Sequence, residues 1–164
     1  MTQESTAPDS PARLTATRVV AFFASDHAAS GADGKVYVNG GFITLLRFHA
    51  FPALVPTLGI TAVLELPFQD TMTDRMIRVG VRGENGQELP VRVEAGFRTA
   101  PSLEAHFGDP AQVPFAVTVT NVEIPAPGMY TLVLWLDSKE MATYAIRAIQ
   151  TPMAPVQFPI QSGQ

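Results

Sequence analysis

The strongest constraint in this sequence is a two-residue rhythm of apolar and polar side chains. From Leu58 to Phe68 one set of positions reads Leu58, Ile60, Ala62, Leu64, Leu66 and Phe68, while the intervening set carries Thr61, Val63 and Glu65. Successive side chains of an extended strand point to opposite sides of a sheet, so this spacing buries one face and wets the other. The alternation recurs in Arg75–Arg82, where Ile77, Val79 and Val81 oppose Arg78 and Arg82. It recurs again in Leu89–Phe97, with Arg92 and Glu94 on the wet side, and in Val113–Asn121, with Thr118 and Thr120 there. No long stretch carries a 3.6-residue stripe; the best helical signal is the short segment Ser102–Phe107.

Turn residues punctuate the pattern. Asp33-Gly34, Asn39-Gly40-Gly41, Asn85-Gly86, Pro125-Ala126-Pro127-Gly128 and Asp137-Ser138-Lys139-Glu140 separate the alternating runs. Glycine and asparagine supply the positive φ values of tight hairpins. Together these signals predict nine strands, at residues 17–24, 35–39, 41–48, 58–67, 75–82, 88–97, 113–123, 129–137 and 142–149. One-sided burial in each strand predicts an all-β fold, an antiparallel two-sheet sandwich of the immunoglobulin-like kind. A chain of 164 residues suffices for one core. Residues 1–16 read as a flexible polar arm, 17–150 as the sandwich domain, and 151–164 as an extended, proline-rich tail. Truncating Leu64, Val117 or Leu134 to alanine is expected to cost ~2–5 kcal/mol.

Composition narrows the partners. The net charge is -4 and the eleven basic residues form no run, which argues against a groove that tracks nucleic acid. Cysteine is absent, so disulfides, thiolate chemistry and cysteine-bound zinc are excluded. The first sixteen residues lack a basic segment followed by a long apolar one, and Val19–Ala24 is too short to span a bilayer. The expectation is a cytoplasmic protein with no membrane partner.

The order of cues is specific enough for comparison. It runs from Asp33-Gly34-Lys35-Val36-Tyr37-Val38-Asn39-Gly40-Gly41-Phe42, through Phe51-Pro52, Ile60–Phe68 and Asn85-Gly86, to Ile124-Pro125-Ala126-Pro127-Gly128-Met129-Tyr130, Leu132, Leu134, Leu136 and Asp137. This resembles an uncharacterised bacterial β-sandwich family, domain of unknown function 6941, over most of residues 17–150. The resemblance implies the fold and carries no assigned activity.

Site chemistry is sparse. His27, His49 and His106 form no HxH, HxxxH or HExxH spacing, so no metal site is expected. Ser25-Asp26-His27 holds the residue types of a triad, but neighbours in sequence cannot adopt triad geometry. Glu65 and Glu94 lie on wet faces with nothing to fix their separation. The glycine pairs Gly31/Gly34 and Gly80/Gly83 lack the lysine and following helix of a phosphate loop. No catalytic residue and no cofactor are expected, and a small ligand is not the leading reading. The anomaly is apolar surface. Met129, Thr131, Val133 and Trp135 oppose the core set of the 129–137 strand, and Val19–Ala24 is apolar on both faces. Such a strand is either covered by the long segments 48–58 and 100–112 or forms an interface. The leading expectation is a non-enzymatic structural or interaction module, a homo-oligomer or part of a larger assembly, with Phe22, Met129, Val133 and Trp135 at the interface. The alternative is a small ligand or carbohydrate held by loops at one end, with His27, His49, Arg98 and His106 as candidates.

Overall fold

The computed structural model describes residues 14–100 and 108–152, and its only regular element besides strands is one 3-10 turn, Phe68–Asp70. The described residues form nine strands: β1 (Arg18–Ser30), β2 (Val36–Gly41), β3 (Leu45–Phe48), β4 (Ala53–Leu66), β5 (Arg75–Gly83), β6 (Glu88–Phe97), β7 (Ala111–Ile124), β8 (Gly128–Leu136) and β9 (Lys139–Gln150). They make two sheets, ordered β2-β1-β4-β7 and β3-β9-β8-β5-β6. The sheets share one core. Ile60, Leu64 and Leu66 of β4 pack in the same cluster as Ile77 and Val79 of β5, Leu132 and Leu134 of β8, and Ile146 of β9. The expected apolar sets of β4, β5 and β8 are therefore the inner faces of the sandwich.

Only β1–β2, β5–β6 and β8–β9 are hairpins; the β4–β5, β6–β7 and β7–β8 connections cross between sheets. One crossing carries a tyrosine corner, a hallmark of immunoglobulin-like sandwiches. Tyr130, buried at the start of β8, donates its hydroxyl to the Ala126 carbonyl at 2.7 Å. The β8–β9 turn has positive φ at both Asp137 (48°) and Ser138 (70°), as a two-residue loop requires. In the β5–β6 turn only Gly86 takes positive φ (81°), and the Gly86 amide donates to the Gly83 carbonyl at 2.9 Å.

The sheets are not wholly antiparallel. β3 runs parallel to β9, with Leu45 opposite Arg147 and Phe48 opposite Gln150. The run 41–48 does not continue as one strand beside 35–39. Phe42 adopts φ of 64°, the Ile43 amide donates to the Ala24 carbonyl at 3.1 Å, and the chain then passes to the other sheet. β1 is also longer than its apolar rhythm suggests. Past Ser25 it leaves the β4 ladder and crosses the outer face of that strand at Gly59. A Cβ on Gly59 would fall 2.3 Å from Ser25 Oγ and 2.6 Å from the Ala28 nitrogen, so only glycine admits the crossing. The Thr118 hydroxyl then accepts from the Ala28 amide at 2.9 Å and donates to the Ala28 carbonyl at 2.8 Å. Ser102–Phe107, the arm over residues 1–13 and the tail from 153 lie outside the described residues. Among the described residues no helix is long and apolar enough to cross a membrane.

Packing corrects one energetic expectation. Leu64 and Leu134 are fully buried, whereas Val117 is only partly so. Leu64→Ala and Leu134→Ala should each lower the unfolding free energy by ~2–5 kcal/mol, and Val117→Ala by about 1–2 kcal/mol, in urea titrations. Tyr144 of β9 gives the opposite sign. Its hydroxyl is buried without a hydrogen-bond partner among the described residues, and desolvation raises its pKa above the usual phenol value. A raised folded pKa favours the neutral phenol, so that stability is present below the unfolded value and is lost as pH rises through the folded one. Tyr144→Phe removes an unsatisfied polar group and should stabilise by ~0.5–1 kcal/mol near neutrality, with a flatter alkaline limb in urea midpoints against pH.

Candidate interaction surfaces

The outer face of the five-stranded sheet explains the doubled apolar pattern of β8. Arg78, Gly80 and Arg82 of β5 lie opposite Trp135, Val133 and Thr131. Because Gly80 has no side chain, the indole can lie over it; a Cβ there would approach Trp135 Cζ3 at 3.3 Å. The Arg78 guanidinium sits 3.9 Å from the ring centroid and that of Arg82 6.0 Å. Arg82 is also held by Glu140 at 3.2 Å. Trp135 is thus left 7% exposed and Val133 0%. For Trp135 the adjacent strand β5 supplies cover through Arg78 and Arg82; of the segment 100–112, residues 101–107 lie outside the described residues.

This corrects the expected interface set. Phe22 packs against the core, Val133 and Trp135 are closed within the monomer, and only Met129 is exposed, at 38%. The cue that could have shown it is the alternation Arg78, Gly80, Arg82, a gap between two cations that accommodates an aromatic ring. Arg78→Ala should red-shift the emission of the single tryptophan and cost ~0.5–2 kcal/mol, from lost cation–π contact and lost cover by the arginine stem. Unchanged emission would mean that the ring is shielded by something else.

Besides Leu54, Met72 and Met76, exposed apolar side chains lie on β1, on β2 and at Phe42 just after it. Phe42 is 70% exposed, Tyr37 55%, Val20 53% and Val38 39%. Phe42 stacks on Phe23 of β1, with centroids 4.5 Å apart and planes at 18°. A bulky residue at positive φ is strained, and here the strain turns an aromatic ring outward. At the hairpin tip the Lys35 ammonium lies 3.0 Å from Asp33, and it holds the Asp33 carboxyl below the usual carboxylate range.

β2 is an edge strand, and it differs from the other edges. The Gly31 amide donates to the Lys35 carbonyl at 2.8 Å. By alternation, the backbone groups of Val36 and Val38 point away from β1 to the open side. β7 is protected at its open edge: Ser30 Oγ accepts from the Ala116 amide at 3.0 Å, and Pro114, in phase with it, has no amide to offer. β6 carries Pro90 with Glu88, Arg92 and Glu94, and β3 is only four residues long. Val36–Gly41 contains neither proline nor charge.

The candidate ligand residues do not converge. His27 is exposed on the far half of β1. His49 follows β3, its Nδ1 3.3 Å from the Thr151 carbonyl oxygen at the end of β9. Arg98 follows β6 and lies 3.9 Å from Asp74, where β5 begins. Since β9 and β5 run the same way, His49 and Arg98 stand at opposite ends of the sandwich. His106 lies outside the described residues. Glu65 and Glu94 belong to different sheets and are ion-paired with Arg18 and Arg92 respectively. A ligand site or carboxylate pair built from these residues therefore does not form.

A different concavity does. Between the β5–β6 turn and the β7–β8 loop lies a cleft of about 560 Å³. Leu89, Pro125, Pro127 and Tyr130 supply apolar walls, and Glu84, Glu88 and Glu123 line it with carboxylates. These residues come from distant parts of the chain; the sequence signal was a glutamate on each side of the Asn85-Gly86 turn and one just before Pro125.

The chain belongs to a family of unknown function, DUF6941, whose profile matches residues 20–159. No curated protein matches it. Among solved structures it is similar to an alkylpurine DNA glycosylase from Pseudomonas fluorescens, at 8% identity and TM-score 0.43, over 80% of this chain and 30% of that one. It is similar to a β-glucosidase from Listeria innocua at 10% identity and TM-score 0.40, over 67% of this chain and 15% of the enzyme. An immunoglobulin-like protein from Pseudomonas aeruginosa is similar at 12% identity and TM-score 0.37, over 84% of this chain and 99% of that one. The chain thus spans less than a third of the glycosylase and of the glucosidase it resembles.

Proposed function

We propose that the protein is a non-enzymatic interaction module that associates with copies of itself through the β1–β2 hairpin. The observation that carries this reading is the open edge of β2, flanked by exposed Tyr37, Val38 and Phe42. An edge with free amides and carbonyls, apolar side chains and no proline or charge is a template for strand pairing. The protection of β7 and β6 against the same event makes the bare β2 edge distinctive. Pairing of identical edges about a twofold axis gives a closed, self-complementary contact. An interface of this kind is small, so association is expected in the micromolar range rather than the nanomolar one.

Val38→Pro provides a selective test. The Val38 amide points to the open side, so proline there removes an outward donor while sparing the β1 ladder. Sedimentation from roughly 1 to 100 μM, the range in which micromolar complexes form, should show the wild type rising from 17.6 kDa towards twice that mass. Val38→Pro should stay at 17.6 kDa with an unchanged circular dichroism spectrum. A wild type that remains monomeric throughout overturns self-association. A Val38→Pro variant that still associates removes the hairpin as its site.

A further inference from the structure

The cleft between the β5–β6 turn and the β7–β8 loop is independent of the hairpin edge. Its charge is one-sided. Glu84, Glu88 and Glu123 line it, no lysine, arginine or histidine does, and none of the three carboxylates has an ion-pair partner among the described residues. Arg82 stands opposite Glu88 in the ladder, yet its guanidinium is committed to Glu140 and the Trp135 ring. A second concavity, about 470 Å³ around Arg75 and Arg98, is charged on both sides, and its cations are paired with Asp70, Asp137 and Asp74. Among the described residues the acidic cleft thus sets three carboxylates beside apolar walls with no cation in its lining. Its volume lies in the range of ligand sites.

We infer that this cleft holds a basic, proline-bearing extended segment of a partner protein. Arginine side chains would meet Glu84, Glu88 and Glu123, and apolar residues beside them would lie along Leu89, Pro125 and Tyr130. Two features favour a polypeptide over a small cation. The lining carries more apolar residues than carboxylates, and its Tyr130 ring is the kind of aromatic wall against which extended proline-containing chains dock. The acidic net charge of the whole molecule adds attraction at a distance for a basic partner.

The test uses the isotopically labelled full chain and a capped peptide of sequence Pro-Pro-Leu-Arg-Pro-Arg, with a second peptide carrying citrulline for arginine. Amide shifts of Asn85, Ala126 and Met129 should move and saturate with the arginine peptide. Citrulline should weaken binding by roughly tenfold or more, since both cationic charges of the peptide are lost. The triple variant Glu84→Gln, Glu88→Gln, Glu123→Gln should lose affinity to the same extent. Glutamine at 84 keeps an acceptor for the Met129 amide that Glu84 Oε2 now receives at 3.3 Å. The citrulline comparison is made on the wild type, so it decides the matter even if the triple variant folds poorly. Absence of saturable shifts at the cleft, or equal binding of the citrulline peptide, overturns the inference. Spermidine binding as tightly, with the same shifts, would assign the cleft to small organic cations and overturn the peptide partner.

Discussion

The fold rests on the contact between β4 and the pair β5–β8 across the middle of the sandwich. Ile60, Leu64 and Leu66 from one sheet, and Ile77, Val79, Leu132 and Leu134 from the other, are all nearly or fully removed from water. Each such side chain contributes ~1.5–3 kcal/mol when fully buried. This layer fixes the register of both sheets, because a slip of one residue would turn every apolar side chain of a strand outward. It also determines which residues are left on the outer faces, and the remaining architecture handles those.

Two glycines show how. Gly59 on β4 and Gly80 on β5 both sit where the outer face receives cover. Over Gly59 passes the far half of β1, anchored by Thr118; over Gly80 lies the Trp135 ring, bordered by Arg78 and Arg82. Each glycine removes a side chain so that another element can approach the backbone. The two outer faces are thereby partly closed by the monomer's own groups. Part of the exposed apolar surface lies on β2, at Tyr37 and Val38, and at the adjoining Phe42.

The two-residue rhythm made the strands and the two-sheet class legible from sequence, and the glycine and asparagine clusters placed most turns. What escaped was non-local. The parallel pairing of β3 with β9 depends on where residues 45–48 go after a positive-φ Phe42, which alternation does not encode. The early start of β4 at Ala53 was hidden by Pro56, tolerated because the β1 ladder reaches only from Gly59 to Glu65 and leaves that part of β4 with one neighbour. For Trp135 the sequence leaves cover and interface as alternatives, because its strand mates are visible there and its arginine cover on β5 is not. The acidic cleft was illegible for the same reason. Glu84, Glu88 and Glu123 look like separate solvating charges until two loops bring them together.

The tyrosine corner gives that cleft a mechanical property. Tyr130 is both a wall of the cavity and the anchor that ties its hydroxyl to the Ala126 backbone. Pro125 and Pro127, on either side of that anchor, restrict the remaining backbone freedom of the loop. The entropy of ordering this wall is therefore spent when the domain folds, not when something enters. A visitor meets a socket already cast in its final shape, and the selectivity of that socket lies in its outline and charge rather than in any capacity to adapt.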